Sequence, residues 1–276
     1  MSDACKTCGQ SEGCNEESCS AAPEVKHNIK NIIAVMSGKG GVGKSSVTGL
    51  LAVALRDKGF KVGIMDADIT GPSIPRLFGL KSGQLKTGSR GILPAKTKSE
   101  IEVISLNLLL PNEDEPVIWR GPVIMGVINQ FWTEVEWGDL DYLLVDLPPG
   151  TGDVPITVLQ TLPLNGVIIV TTPQSLVSMI VKKAIKMAGK MNVPVIGIID
   201  NYAYIECPEC KEKINLFGNN NTEEMAGKMG IPILGQLPLD PKLVEFCDQG
   251  QIDEYFLQKG SGIKEVISNV ADAVRQ

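Results

Sequence analysis

Eight consecutive residues constrain this chain more than any other stretch: Gly38-Lys39-Gly40-Gly41-Val42-Gly43-Lys44-Ser45. They fit G-x-x-x-x-G-K-[ST], the phosphate-binding loop, and both flanks have the form that loop requires. Before it, Ile32-Ile33-Ala34-Val35-Met36 is an apolar run of strand length. After it, Val47, Leu50, Leu51 and Ala54 recur at i, i+3, i+4 and i+7, the period of a helix with one buried face. Strand, glycine turn and helix start together aim several backbone N–H groups at one point, where the helix dipole adds partial positive charge. The glycines let the backbone approach a polyphosphate closely, Lys44 reaches its β- and γ-phosphates, and the Ser45 hydroxyl ligates Mg²⁺. The pattern therefore predicts a nucleoside triphosphate cradled by Gly38, Lys39, Gly40, Gly41, Val42, Gly43, Lys44, Ser45 and Ser46.

The chain has 276 residues, enough for one large α/β domain and a tail. Its formal charge of −6 and pI near 5.0 argue against a nucleic-acid-binding surface. No apolar run approaches the roughly 18 residues of a membrane span. The N-terminus lacks a basic region followed by an apolar core, so it is not a signal peptide, and a cytoplasmic location follows as the default. Seven cysteines cluster unevenly, at positions 5, 8, 14, 19, 207, 210 and 247. In a reducing compartment such clusters are metal ligands more often than disulfides. Cys247 stands alone beside Phe246 in an expected helix over 241–249 and reads as buried packing.

Two domains of unequal character are expected, a flexible cysteine-rich segment over residues 1–28 and a nucleotide-binding domain over 29–276. The first is poor in large apolar residues and carries two lysines against five acids, so by itself it cannot offset its ordering entropy. Its Cys5, Cys8, Cys14 and Cys19 are spaced C-x2-C-x5-C-x4-C, close enough to hold zinc or an iron–sulfur cluster, or to scavenge metal non-specifically. The single histidine, His27, lies in this segment and is expected to be solvated.

Beyond the loop, residues 61–66 read as a strand that ends in Asp66-Ala67-Asp68, followed by Gly71-Pro72-Ser73. Carboxylates at the C-terminal end of a parallel strand sit where α/β ligand sites form. One carboxylate steadies Mg²⁺ or its water shell while another orients the attacking water. Residues 81–100 are polar and read as an exposed excursion; 101–106 is a strand. Trp119-Arg120-Gly121-Pro122 precedes a helix with Val123, Val127, Ile128 and Phe131 as its apolar face. Residues 141–146 form a buried strand ending in Asp146, which runs into Leu147-Pro148-Pro149-Gly150-Thr151-Gly152-Asp153. This has the form of a Walker B strand entering a switch segment: Asp146 holds Mg²⁺ through water and the Gly150 N–H senses the γ-phosphate. Strands at 166–172 and 193–199 flank a helix over 174–191. Strands apolar on both faces, alternating with helices, predict an α/β fold with a mostly parallel sheet and helices on both faces. The last helix, 263–274, lacks the basic face of a membrane-surface helix and is assigned to core packing.

A second chemical centre is Cys207-Pro208-Glu209-Cys210. Its C-x-x-C turn brings two thiolates to one metal but does not complete a tetrahedral site. The N-terminal cysteines, a substrate thiol or a twofold symmetry mate are three ways to complete it; the last fits a dimer, since an isologous interface puts the same motif on both sides of the axis. Zinc remains a second occupant of such a knuckle.

Lys39 is a second lysine inside the loop, where like-charge repulsion with Lys44 is relieved only by polyphosphate. Here the sequence resembles the deviant-Walker ATPases that include MinD, ParA and the nitrogenase iron protein. The loop with Met36-Ser37 before it, Asp66-Ala67-Asp68 with Gly71-Pro72-Ser73, Trp119-Arg120-Gly121-Pro122, the Asp146–Asp153 segment and Cys207-x-x-Cys210 together look like the Mrp/ApbC/Nbp iron–sulfur carrier ATPases, from about residue 29 to the C-terminus. The resemblance implies a P-loop NTPase fold and ATP hydrolysis, with Lys39 reaching across a homodimer to the partner's nucleotide. It implies that Asp68 orients water, that Asp66 lies near Mg²⁺, and that Asn201 contacts adenine. It also implies a [4Fe–4S] cluster bridged by Cys207 and Cys210 and passed to apo-proteins. Some eukaryotic cytosolic members hold a further N-terminal cluster; this chain keeps Cys5, Cys8 and Cys14 of that pattern, lacks its upstream cysteine, and offers Cys19. The rival readings are a MinD/ParA-like positioning switch with a structural zinc site, a nitrogenase-reductase-like electron donor, and a zinc-stabilised ATPase.

Overall fold

The computed structural model describes residues 27–69, 71–110, 121–217, 222–258 and 262–275. Cys5, Cys8, Cys14, Cys19, Trp119 and Arg120 lie outside these. The chain opens with β1 (Asn28–Ser37), the glycine loop and α1 (Lys44–Asp57), then β2 (Val62–Asp66), the short α2 (Ile74–Leu77), β3 (Lys86–Thr87), β4 (Ile92–Leu93), β5 (Ala95–Lys96) and β6 (Glu102–Ser105). It continues with α3 (Gly121–Thr133), β7 (Asp139–Asp146), α4 (Asp153–Thr161), β8 (Gly166–Thr171), α5 (Ser175–Lys190), β9 (Val195–Glu206) and β10 (Lys213–Ile214). α6 (Thr222–Met229), β11 (Ile233–Pro238), α7 (Pro241–Asp248), α8 (Ile252–Leu257) and α9 (Gly262–Ala273) complete it.

The sheet is ordered β10-β9-β8-β1-β7-β2-β6-β5, with β11 also paired to β9. Its central pairings are all parallel, and antiparallel partners occur only at β5 and β10. Period-two alternation divides each strand between two cores. In β1, Ile33 and Val35 enter the core under α1, α8 and α9, while Ile32, Ala34 and Met36 enter the one under α3, α4 and α5. A strand buried on both faces has no place for polar residues, which explains the near-continuous apolar runs. The α/β reading with a mostly parallel sheet covered on both faces holds.

In α1, Val47, Leu50, Leu51 and Ala54 are all buried, as their spacing predicts. Each large one contributes about 1.5–3 kcal/mol relative to exposure. The last helix likewise buries Ile263, Ile267 and Val270, and Val274 is buried just past its end. Cys247 is buried on α7.

Four local expectations are corrected. Val123 in α3 is exposed and Ile124 is partly buried in its place, with Ile128 and Phe131 beyond it on the core face. The excursion over 81–100 carries an antiparallel β3–β4 hairpin and adds β5 to the sheet edge, so Ala95 and Thr97 are buried. The strand expected to stop at residue 199 runs to Glu206, because β8 and β11 pair with its first half and β10 with its last residues. His27 is half-buried rather than solvated: its ring centroid lies 5.0 Å from that of Trp132, and burial pulls its pKa below the usual histidine value. Asn28 follows it directly into β1 and donates its backbone N–H to Gly138 O at 3.2 Å. Among the described residues, no helix is long and apolar enough to cross a membrane.

Candidate functional site

The carboxyl ends of β1, β2 and β7 lie side by side, with Val35 and Asp66 each in register with Asp146. The glycine loop leaves β1 at this edge. Gly41 and Gly43 have φ of 78° and 77°, which side-chain-bearing residues rarely adopt, and Gly43 caps α1. Gly38 has a different reason to be glycine: a Cβ there would stand 2.7 Å from Cγ2 of Ile180, where α5 packs on the loop. The loop bounds a cleft of about 270 Å³, lined by residues 39–46 with Ser37, Asp68, Gly71, Ser73 and Pro149.

The floor of this cleft is a closed charge network. Lys44 Nζ lies 2.7 Å from Asp146 Oδ2, with the two side chains 6% and 0% exposed. Asp146 Oδ2 also accepts from Ser45 Oγ at 2.6 Å, and its Oδ1 accepts from Thr48 Oγ1 at 2.8 Å. A buried carboxylate is tolerable only when it is paired and hydrogen-bonded in this way. Thr48 was not singled out from the sequence, although it follows Lys44 by one helical turn, the spacing that puts both on one face.

Asp66 and Asp68 take different places. Asp68 lines the cleft. Asp66 is fully buried, and its oxygens accept from Asp68 N at 3.2 Å, Ile74 N at 3.3 Å and Ser105 Oγ at 3.2 Å. Burial and the neighbouring Asp146 raise its pKa to about 8, with Lys44 opposing them. In this arrangement both its oxygens accept from protein donors, and it shapes the turn that carries Asp68. Ser45 and Asp146 remain as hard oxygen donors at the cleft, the type Mg²⁺ takes alongside waters and phosphate oxygens.

Three further residues are engaged within the chain. Gly150 donates its N–H to Ser37 O at 2.8 Å, so the segment after β7 is tied to the end of β1. Lys39 Nζ donates to Gln174 Oε1, beside α5. Asn201 is buried and donates from Nδ2 to Val42 O at 2.8 Å, holding the loop from behind instead of lining the cleft.

Cys207 and Cys210 sit on the turn joining β9 to β10, far from this buried network in character. Cys207 N donates to Glu212 O at 2.9 Å and Lys211 N to Cys207 O at 3.0 Å, with Lys211 in the left-handed region at φ 62°. Cys210 is exposed and Cys207 partly so. The N–H groups of Cys210 and then Glu209 hydrogen-bond the Cys207 thiol and hold its pKa below the ordinary value. These bonds stabilise the thiolate of Cys207, the form that binds metal. No third histidine, cysteine, aspartate or glutamate completes a metal group among the described residues.

A parallel sheet that ends in a glycine loop, with a buried lysine–aspartate floor and a further aspartate lining the cleft, defines a P-loop NTPase. The model of the NUBPL iron-transfer P-loop NTPases, in the ParA group, matches residues 28–275, and the chain belongs to that family. It is 48% identical to the iron–sulfur cluster carrier protein of Clostridium perfringens, over 91% of this chain and 94% of that one. It is 41% identical to the cytosolic Fe-S cluster assembly factor CFD1 of Kluyveromyces lactis, over 91% and 93% respectively. Among solved structures, it is similar to the nucleotide-binding protein of Archaeoglobus fulgidus in complex with ADP, at 48% identity and a TM-score of 0.74, covering 82% of this chain and 89% of that one. MinD of Aquifex aeolicus, 22% identical with a TM-score of 0.63 over 89% and 96%, shares the fold.

Proposed function

We propose that this chain binds and hydrolyses ATP and carries a [4Fe–4S] cluster to apo iron–sulfur proteins in the cytoplasm. The cluster is held between two copies of the chain by Cys207 and Cys210 of each. The observation that carries the reading is a pair of outward-facing thiols, one with a lowered pKa, two ligands short of a tetrahedral set. A twofold axis past the β9–β10 turn supplies the second pair with no further residue type. Relatives that match over most of the chain are named as cluster carriers and assembly factors, which favours iron over structural zinc.

In this reading the loop amides from Gly40 to Ser46 and Lys44 bind the phosphates, and Lys39 leaves Gln174 to reach the partner's nucleotide. Ser45 and Asp146 hold Mg²⁺, which neutralises phosphate charge when bound. Asp68, set by Asp66, accepts a hydrogen bond from the water that attacks the γ-phosphorus as the bond to the ADP oxygen breaks. Asn201 contacts adenine by turning part of its amide from the loop. Cys5, Cys8, Cys14 and Cys19 hold a second cluster.

Anaerobic reconstitution with iron and sulfide tests this, read by absorbance, iron content and mass in solution. The wild type should give a brown dimer with about four irons at the bridging site. The Cys207→Ala/Cys210→Ala variant should lose that iron, and a chain lacking residues 1–28 should lose only the remainder. A colourless wild type holding tight zinc, with the same ATP hydrolysis in the double variant, would move the assignment to a switch ATPase.

A further inference from the structure

We infer that Tyr202 is a positioning residue that couples the glycine loop to the Cys207–Cys210 turn. The inference rests on the reading above of one site as nucleotide-binding and the other as cluster-binding. Strand β9 touches both. Near its middle, Asn201 holds Val42 O, and the Asn201 and Tyr202 side chains hydrogen-bond each other. Both press on Gly43: a Cβ there would stand 2.3 Å from Asn201 Nδ2 and 2.7 Å from the Tyr202 hydroxyl. The tyrosine therefore rests on the residue that caps α1 and immediately precedes Lys44.

The backbone beneath that contact is strained. Tyr202 has φ 55°, and a bulky residue in the left-handed region inside a strand is an outlier that its surroundings must enforce. The pairing with β11 shows what is enforced. Gln236 pairs with Asp200 and Pro238 with Tyr204, so two steps along β11 oppose four along β9. Tyr202 is the centre of this bulge, which turns its ring out of the strand's alternation and onto the loop. Beyond it the strand is regular again, with Leu239 N donating to Tyr204 O at 2.8 Å and Ile205 and Glu206 paired to β10. Cys207 is the next residue.

Four residues of extended chain, five steps spanning about 17 Å at the usual rise, join the bulge to the first thiol. A strand segment of this kind transmits a change of register but little else, since a bulge is either kept or released. When phosphate binding shifts Gly43, the tyrosine either keeps its seat and its left-handed φ or gives up both. Giving them up re-registers residues 203–206 and moves the Cys207 turn. This makes the thiol pair sensitive to nucleotide through one side chain, with no contact between the two sites.

The test uses the full chain free of metal, so that it does not depend on cluster loading. Alkylation of Cys207 by iodoacetamide is followed by peptide mass, without nucleotide and with saturating AMPPNP. Solution mass is recorded alongside, to separate shielding by dimer formation. The wild-type rate should change by about fivefold or more, the lower end of ordinary site-to-site coupling. Tyr202→Gly keeps the left-handed backbone without strain and removes the ring; measured at its own saturating AMPPNP and compared at equal solution mass, it should lose the change. Tyr202→Phe keeps the ring and should restore it. A wild-type ratio in Tyr202→Gly, or no nucleotide effect in the wild type, overturns the inference. Amide hydrogen exchange over residues 203–207 of the wild type provides a readout that needs no variant: protection there should change with AMPPNP, and unchanged protection overturns the inference equally. Iron binding by the wild type, measured separately, decides the carrier reading on its own terms.

Discussion

The glycine loop and the C-x-x-C turn both follow the carboxyl ends of strands, yet they are finished to different degrees. At the loop, Lys44, Ser45, Thr48 and Asp146 satisfy one another at the floor of the cleft, with Lys44, Thr48 and Asp146 buried. At the turn, backbone N–H groups bond one thiol, and both cysteines face outward with no third ligand among the described residues. One chain closes the floor of the first site by itself; at the second, the described residues offer two thiols. The difference teaches that the floor of the nucleotide cleft is part of this fold's own packing, while the thiol pair is presented at its surface.

The sharpest way to break that contrast is to remove Lys44. Lys44→Ala leaves the Asp146 carboxylate buried without its cation, which should lower stability by about 3–5 kcal/mol in urea unfolding without nucleotide, besides abolishing hydrolysis. A loss under about 1 kcal/mol would mean that the floor is not the closed network described. Thr48→Val removes a single hydrogen bond to the same carboxylate and keeps the shape of the side chain. It should cost about 1–3 kcal/mol by the same measurement. Nucleotide should bind more weakly too, since Asp146 is the group that both hydroxyls orient.

The thiols sharpen the contrast through pH. Burial pushes the Cys247 thiol up to about 11, while backbone N–H groups hold Cys207 below the ordinary value. Only thiolate reacts with an alkylating agent. In the folded protein, Cys207 labelling should therefore rise at lower pH than that of a free cysteine, and Cys247 should stay unlabelled until the pH nears 11 or the chain unfolds. Peptide mass after timed alkylation across a pH series reads both. Equal labelling of the two at neutral pH would remove the distinction.

Much of this was legible in the sequence because it follows from local spacing. The loop motif, the i, i+3, i+4, i+7 face of α1 and the apolar runs of β1, β7 and β8 each determine a backbone conformation within a few residues. Their order along the chain then determines a parallel sheet. What escaped depends on contacts between distant segments. The bonds that Asp66 accepts from Ser105 and Ile74 are made by segments the sequence does not place beside it. The link from Gly150 to Ser37 and that from Asn201 to Val42 likewise join residues far apart in the chain. Tyr202 carries no sequence signal at all, because its bulge exists only against β11. His27 reads as tail and is drawn in by Trp132, a residue far along the chain.

The smallest expected effect is the one that most directly tests whether the turn belongs to the fold. Cys207→Ala removes a side chain that contributes to neither hydrophobic core and bonds only to its own turn. Its stability in urea without metal should lie within about 0.5 kcal/mol of the wild type, as for surface substitutions away from structural features. The turn itself is held by the backbone bonds from Cys207 N to Glu212 O and from Lys211 N to Cys207 O, which the substitution leaves in place. If the variant were instead destabilised to the extent expected for Thr48→Val, the thiol would have to be anchoring the β9–β10 hairpin. The two sites would then differ in exposure alone and not in their part in the fold. A near-zero effect, beside a large one for Lys44→Ala, leaves the cysteine pair free to serve a bound metal without a structural obligation to the chain that carries it.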